Sequence, residues 1–440
     1  MGDPLMKHDR SFPNMPSEAG AKTVAELSVA GRPLGELASN DIQPPFVSFV
    51  VICWNYARYV AQAIRSIKQQ DYPHFECLVI DNGSSDDSAS VILAAIEGDA
   101  RFRMERLDRN MGQLGAAIWS LAQIRGSFVV FVDADDFLFK NYTSSHLQVH
   151  LALPQSVPLT SSGVTEVDAQ GRILTSRYSH IKIDQKYVVR GLCPSCNIVR
   201  FPMVSDEQYE VVAAQTGIIP REITGWHWGP GTANMYRRSM LDLIRLGDGS
   251  QDYMRAADTH FNYMCHAFAG SAVIDLPLSA YRVHGDNYFA RQETYDALSK
   301  GTKEYAENSR LDRLASAELL LREPEKFSWL LGGSYWRVFD QCAGAGADGS
   351  RRTFRRPEAR EIFARNIEPL VLTHGKVALG REIARRFGYR KGKRLMAQGL
   401  KGRLRLRMHG QLLFQSVVGG SGIVRALRRL SLRKRRRKMA

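Results

Sequence analysis

A chain of 440 residues with 44% hydrophobic, 9% aromatic and 24% charged residues has an ordinary globular balance, which excludes a wholly disordered or collagen-like protein. Six cysteines are too few for a disulfide framework and fit a reducing compartment. The net charge of +15 is uneven, because residues 383–440 hold 19 Lys/Arg and no Asp/Glu, leaving 41 basic and 45 acidic residues elsewhere.

Residues 1–45 mix polar residues with Gly and Pro and read as a flexible N-terminal arm with at most one short helix. The first twenty residues show no apolar core of a secretory signal. No run approaches the ~20 apolar residues of a membrane span, and Met408–Val424 is too polar for one. Order is expected from VSFVVIC (47–53), an apolar run that fits a strand buried on both faces. Val60, Ile64 and Ile67 mark an amphipathic helix, which Asp71-Tyr72-Pro73 ends. The pattern repeats with a strand at 75–80, a helix through Val91 to Ile96, a strand at 101–107, a helix from Leu114 to Ile124 and a strand at 127–132. Such alternation predicts an α/β fold, a mostly parallel sheet covered by helices. Right-handed crossovers bring the loops after the strands to one edge, where open α/β sheets bind ligands.

Beyond Thr143 the pattern loosens. Residues 164–177 read as a hairpin, 186–230 are ambiguous, 234–246 and 252–268 read as helices, 272–285 as extended and 303–323 as a helix. Ala/Gly-rich residues 343–352 read as a linker. The expected organisation is an arm at 1–45, an α/β domain at 46–290 in two halves (46–140 and 141–290), helical support at 291–342, and a helical, basic extension at 353–440.

The strand ends carry the candidate chemistry. They are Asn55-Tyr56, Asp81-Asn82-Gly83-Ser84-Ser85, Asn110-Met111-Gly112, and Asp133-Ala134-Asp135-Asp136. In an extended segment Asp133 and Asp135 point the same way, and two convergent carboxylates suit a hard divalent cation such as Mg²⁺ or Mn²⁺. The same residues also read as a solvated acidic turn before a helix. Asp81 stands where a carboxylate meets a base or ribose. Gly83-Ser84-Ser85 reads either as a helix N-terminus that attracts anions or as a polar turn. Cys193-Pro-Ser-Cys196 has no second pair nearby and reads as structural.

These segments, VVICWNYARYVAQAIRSI, FECLVIDNGSSDDS, NMGQLGAAIWSLAQIRG and FVVFVDADD, together resemble the nucleotide-binding half of family 2 glycosyltransferases of bacterial type. GPGTANMYRRSML (229–241), AADTHF (256–261) and LPLSAYRVHGDN (276–287) extend the resemblance over residues 46–290. It implies a GT-A fold and inverting transfer from a nucleotide-diphosphate sugar. By this resemblance Asn55, Tyr56, Asp81, Asn110 and Gly112 belong to the donor site. Asp133 and Asp135 are the D-x-D that holds the donor and a Mn²⁺ or Mg²⁺ ion, with His284 as a further metal ligand. Asp258 is the general base. Arg282, by its charge alone, reads as a phosphate contact. Trp226 and Trp228 read either as an acceptor-stacking loop or as a buried aromatic cluster. The sequence departs from the family in having Ala257 before Asp258, and Ala116-Ala117 after the Asn-x-Gly.

In the tail, Ile423, Leu427 and Leu430 share a helical face beside Arg425, Arg428 and Arg429, and Arg433–Lys438 is polybasic. A basic amphipathic helix suits an anionic membrane surface. Nucleic acid and a solvated tail are the weaker readings. The expectation is a cytoplasmic, metal-assisted glycosyltransferase, peripheral at the inner membrane face, with a glycan or lipid-linked acceptor. The alternatives are a non-catalytic nucleotide-binding partner in a glycan-assembly complex, or a nucleic-acid-binding protein recruited by its tail.

Overall fold

The computed structural model describes residues 25–29, 32–37, 44–153, 157–176, 189–190, 199–200, 205–247, 256–285, 287, 303–343 and 357–418. Two short strands, β1 (Ala25–Val29) and β2 (Arg32–Leu37), precede the main domain. The first half of that domain runs β3 (Val47–Cys53), α1 (Val60–Lys68), β4 (Phe75–Asp81), α2 (Ser88–Ile96), β5 (Phe102–Arg106), α3 (Gly112–Ser120) and β6 (Phe128–Asp133). The second half runs β7 (Phe137–Leu138), α4 (Tyr142–Ala152), β8 (Leu159–Val167), β9 (Ile173–Thr175), β10 (Val189–Arg190), β11 (Val199–Arg200), α5 (Asp206–Ala214), β12 (Thr216–Ile219), β13 (Asn234–Arg237), α6 (Arg238–Leu243), α7 (Ala257–Ala269) and β14 (Ser271–Arg282). Helices α8 (Lys303–Arg322), α9 (Pro324–Leu331), α10 (Tyr335–Cys342), α11 (Pro357–Arg365), α12 (Ile367–Gly399) and α13 (Gly402–Val418) follow.

The main sheet has the strand order β10-β12-β14-β8-β13-β6-β3-β4-β5. Strands β3 to β6 form its parallel half, as the βα alternation predicts. Beyond β6 the sheet is mixed, because β13 runs antiparallel to both β6 and β8, while β14 is parallel to β8. This corrects the helix expected over 234–246. Its first four residues enter the sheet, and only α6 is helical. Met235 and Tyr236 are buried on either side of that central strand, so tertiary packing overrides the local helical pattern. The arm also differs from expectation. β1 pairs with β2 and β11 in a separate antiparallel sheet, so residues 25–37 hold a strand pair rather than a helix.

Side-chain alternation along each strand divides the core in two. From β3, Val47, Phe49 and Val51 face α1 and α4, whereas Val50 and Ile52 face α3 and α7. The second cluster continues without a break through α8 to α13 as far as Leu412, so the C-terminal helices close one face of the sheet. Helix α12 turns twice, at Gly375 (φ 75°) and Gly388 (φ 69°), conformations that favour glycine and divide it into three helical segments. Residues 344–356, which include most of the expected linker, together with Cys193, Cys196 and the tail beyond Val418, lie outside the described residues.

Candidate active site

Strand register carries Asp81 and Asp133 to the same edge. Cys53 of β3 pairs with Asp81, and the adjacent Ile52 pairs with Asp133, so the two carboxylates flank β3 two strand spacings apart, ~10 Å. Asp81 is fully buried; its Oδ1 accepts the Ser84 N–H at 2.9 Å, and its Oδ2 faces Arg106 Nε at 3.2 Å.

The loop after β3 is fastened to the start of α2. Asn55 adopts φ 58°, its N–H donates to Ser84 Oγ, and its Oδ1 accepts the Ser85 N–H at 2.8 Å. The Tyr56 N–H donates to Ser88 Oγ. The amides of Ser84 and Ser85 therefore already have side-chain acceptors, so this turn is a loop lock rather than an anion cradle. Asn110 and Gly112 serve the same kind of lock. Asn110 Oδ1 accepts from the Gly112 N–H at 2.7 Å and from Asn82 Nδ2 at 3.0 Å. Gly83, at φ 73°, lets these loops meet, since a Cβ there would stand 2.7 Å from the Arg109 carbonyl carbon.

The acidic run after β6 is a turn. The Asp136 N–H donates to the Asp133 carbonyl, so strand alternation ends at Asp133 and does not align it with Asp135. The turn itself keeps the carboxylates close enough to interact. Burial, then the neighbouring Asp135 and Asp258, push the Asp133 carboxyl up to about 8. Asp136, missed as a functional candidate, is buried, and its carboxyl is held well above the usual range by burial, then by Asp135 and Asp133. Its Oδ1 accepts the Arg282 N–H at 2.9 Å, and its Oδ2 has no partner among the described residues.

Asp258 enters from the first turn of α7. Burial pushes its carboxyl up to about 6, against a hydrogen bond from the Thr259 N–H. Gln113 ties this helix to the β6 edge, because its Oε1 accepts the Ala257 N–H at 3.0 Å and its Nε2 donates to Asp133 Oδ1. Nothing in the sequence around Gln113 marks that bridging role. Asp312 of α8 was missed as well. It is fully buried, and burial pushes its carboxyl up to about 8, opposed by the Ala256 backbone and reinforced by Asp258. The sequence signal for it was a carboxylate one turn from Ser316 on the deepest stripe of α8, one position away from the apolar stripe through Leu311 and Leu314.

His284 is buried, and its Nε2 donates to Asp135 Oδ2 at 3.0 Å while Asn287 Nδ2 approaches the same oxygen at 3.4 Å. The rings of Tyr56 and Tyr59 pack on His284 at 5.6 and 5.0 Å. One expected contact is corrected. Arg282 is buried, and its guanidinium donates to the carbonyls of Asp135, Asp168 and Ala169 and to Gln62 Oε1, so it clamps loops and is not open to phosphate. Trp228 is fully buried, its indole N–H donates to Ser271 Oγ, and Trp226 donates to the Trp228 carbonyl. The pair sits edge-on with Tyr263, which makes Trp228 part of a buried aromatic cluster, while Trp226 stays half-buried.

Among the described residues no group of three or more His, Cys, Asp and Glu gathers as a metal cluster. Asp133 and Asp135 nonetheless fit a hard cation that keeps most of its ligands from water or phosphate. They are carboxylates at one turn, and no Lys or Arg side chain pairs with them among the described residues. Gly231 leaves room beside them, where a Cβ would lie 3.2 Å from Asp133 Oδ2.

This acidic edge lies in an α/β domain of the glycosyltransferase class. The family model described as glycosyl transferase family 2 matches residues 48–244, and over this stretch the chain is similar to that family. It is 26% identical over 175 residues to an uncharacterized glycosyltransferase of Haemophilus influenzae, covering 38% of this chain and 69% of that one. It is 27% identical over 242 residues to an uncharacterized glycosyltransferase of a Nostoc species, covering 55% of this chain and 66% of that one. Comparison with the crystal structure of S. aureus TarS 1–349 in complex with UDP gives a TM-score of 0.42 at 15% identity, over 84% of this chain and 88% of that chain.

Proposed function

We propose that the chain moves a sugar from a nucleotide-diphosphate sugar to a hydroxyl of a glycan or lipid-linked acceptor, with inversion at the anomeric carbon. Supporting this reading is the meeting of Asp133, Asp135 and Asp258 around the Gln113 bridge, at the carboxyl edge of the family domain. Asp81 and the Asn55–Tyr56 loop flank the nucleotide. Residues 46–140 are the donor half, and 141–290 the acceptor half. A divalent cation held by Asp133 and Asp135 would offset the charge of the departing diphosphate.

Asp258 takes the proton from the acceptor hydroxyl, which is a poor nucleophile until a positioned base assists it. An affinity raised to about 6 leaves this carboxylate mostly ionised near neutral pH yet more basic than a solvated Asp. His284 and Asn287 fix the rotamer of Asp135 from behind. The basic, amphipathic C-terminal tail supports a peripheral position at the cytoplasmic membrane face. Among the described residues no helix is long and apolar enough to cross a membrane.

The test is initial-rate transfer from a panel of UDP-, GDP- and dTDP-sugars, with and without Mn²⁺. One donor class should react, and Asp258→Asn should lower its turnover by ~10²–10⁴-fold while leaving donor binding in place. Donor binding with no turnover by the wild type, under any of these conditions, would instead make the chain a nucleotide-binding partner.

A further inference from the structure

The last described helix presents two different faces. Leu404, Met408, Gln411 and Leu412 of α13 turn inward, with Leu412 against Gly392 of α12. The outward face carries Leu406, Leu413 and Phe414, which are 71%, 50% and 55% exposed. These three are spaced i, i+7 and i+8, so they form one apolar stripe on the solvent side of an already packed helix. Arg403, Arg405 and Arg407 are exposed in the first turns of the same helix. Where the last segment of α12 packs back on α13, it exposes Arg390, Lys393 and Arg394. No acidic residue follows Glu382 in the chain, so this hairpin has no carboxylate of its own to offset these charges.

We propose that the outward face of α13 docks on an anionic lipid surface, with Leu406, Leu413 and Phe414 in the acyl boundary and the flanking Arg and Lys side chains at the headgroups. The inference rests on the reading of this chain as a peripheral membrane enzyme and gives that reading a surface. Charge complementarity selects an anionic partner. The aliphatic and aromatic stripe selects lipid over nucleic acid, since phosphate backbones reward the cations but offer nothing to Leu406 or Leu413. The helix lies on the bilayer and does not enter it, in keeping with its three arginines and with the packing of Met408 and Leu412 into the core. The surface differs from the 423–438 segment that the sequence alone suggested, because it is built on helices packed into the core of the enzyme. Docking through it therefore fixes how the catalytic domain faces the bilayer.

The experiment is flotation of the full chain with vesicles of phosphatidylcholine, alone or mixed with phosphatidylglycerol, beside hydrolysis of the nucleotide sugar in solution. The wild type should float only with the anionic vesicles. The combined Arg403→Gln, Arg405→Gln and Arg407→Gln variant should lower the partition coefficient by roughly 100-fold. The combined Leu406→Ser and Phe414→Ser variant should still bind at low salt but be released by high salt, whereas the wild type stays bound. Both variants change exposed positions only, and both should retain the wild-type melting temperature and donor hydrolysis. The proposal is overturned if the wild type ignores anionic vesicles, or if both variants float as it does, which would assign docking to the tail beyond Val418. Binding to duplex DNA in place of vesicles would also overturn it. Loss of donor hydrolysis in the wild type would instead strike the enzymatic reading and leave the docking result to stand by itself.

Discussion

Arg386 is buried and Asp133 half-buried, and their surroundings are opposite. The Arg386 side chain is wholly buried, and its Nε donates to Asp340 Oδ1 at 2.8 Å, while Nη1 donates to Glu382. Its guanidinium lies over the Trp336 ring at 4.7 Å, and Arg385 shares the same two carboxylates. Asp133 has a neutral amide for a partner, and desolvation first, then the neighbouring carboxylates, raise its affinity for a proton. Burying a charge is costly unless the charge is paired. Helices α10 and α12 meet that cost with opposite charge at once. At the β6 edge it is left outstanding, so the site attracts a proton or a cation. On the proposed function, the difference separates a cluster that holds the fold together from one that is arranged for a ligand.

Four changes test that separation. Asp135→Asn should have the largest effect, lowering sugar transfer by ~10³-fold or more while the melting temperature holds, because the amide oxygen still accepts from His284. Full activity in that variant would place the cation and the donor elsewhere. Arg386→Met should do the reverse. Leaving Asp340 and Glu382 without their buried partner should destabilise the protein by about 3–5 kcal/mol in denaturant titration, with turnover per folded molecule unchanged. An equal loss of activity and stability would mean that the two clusters are coupled.

The pH dependence is a smaller effect. Because burial raises Asp258 to about 6, and the base acts when ionised, kcat/KM should fall as the pH drops through about 6, approaching tenfold per unit below it. A flat profile down to pH 5 would remove Asp258 from that role. The smallest change concerns Asp312. Its folded affinity, about 8, lies above that of an unfolded carboxylate, so its contribution to stability is complete below ~4 and is lost as the pH rises toward 8. Asp312→Asn should therefore melt close to the wild type at pH 5 and above it at pH 8. The opposite trend would show that Asp312 is ionised and paired in the native protein.

The first half of the fold was legible because both of its signals were local. The apolar run 47–53 and the stripe of Val60, Ile64 and Ile67 became β3 and α1 within a residue or so. The acidic edge was legible for a related reason, since βα order fixes which ends of the strands lie together. What escaped depended on long-range pairing. Asn234–Arg237 looks helical by itself and becomes a strand only because β6 and β8 present open edges on either side of it. The alignment of Asp133 with Asp135 was argued from a strand that in fact ends at Asp133, and the turn that replaces it depends on contacts with residues around 232 and 282. Arg282 was read by its charge as a phosphate contact, and Trp228 was left open between acceptor stacking and a buried cluster. Their burial, which no local pattern encodes, makes them structural.

The most direct test of the acidic edge is manganese binding followed by electron paramagnetic resonance, titrating Mn²⁺ into the protein with UDP or GDP present. The free-ion signal should be lost on binding to the wild type and should persist with the Asp133→Asn, Asp135→Asn double variant, at an unchanged melting temperature. Equal Mn²⁺ uptake by the two proteins would contradict the assignment of these carboxylates to the cation and the donor it shields.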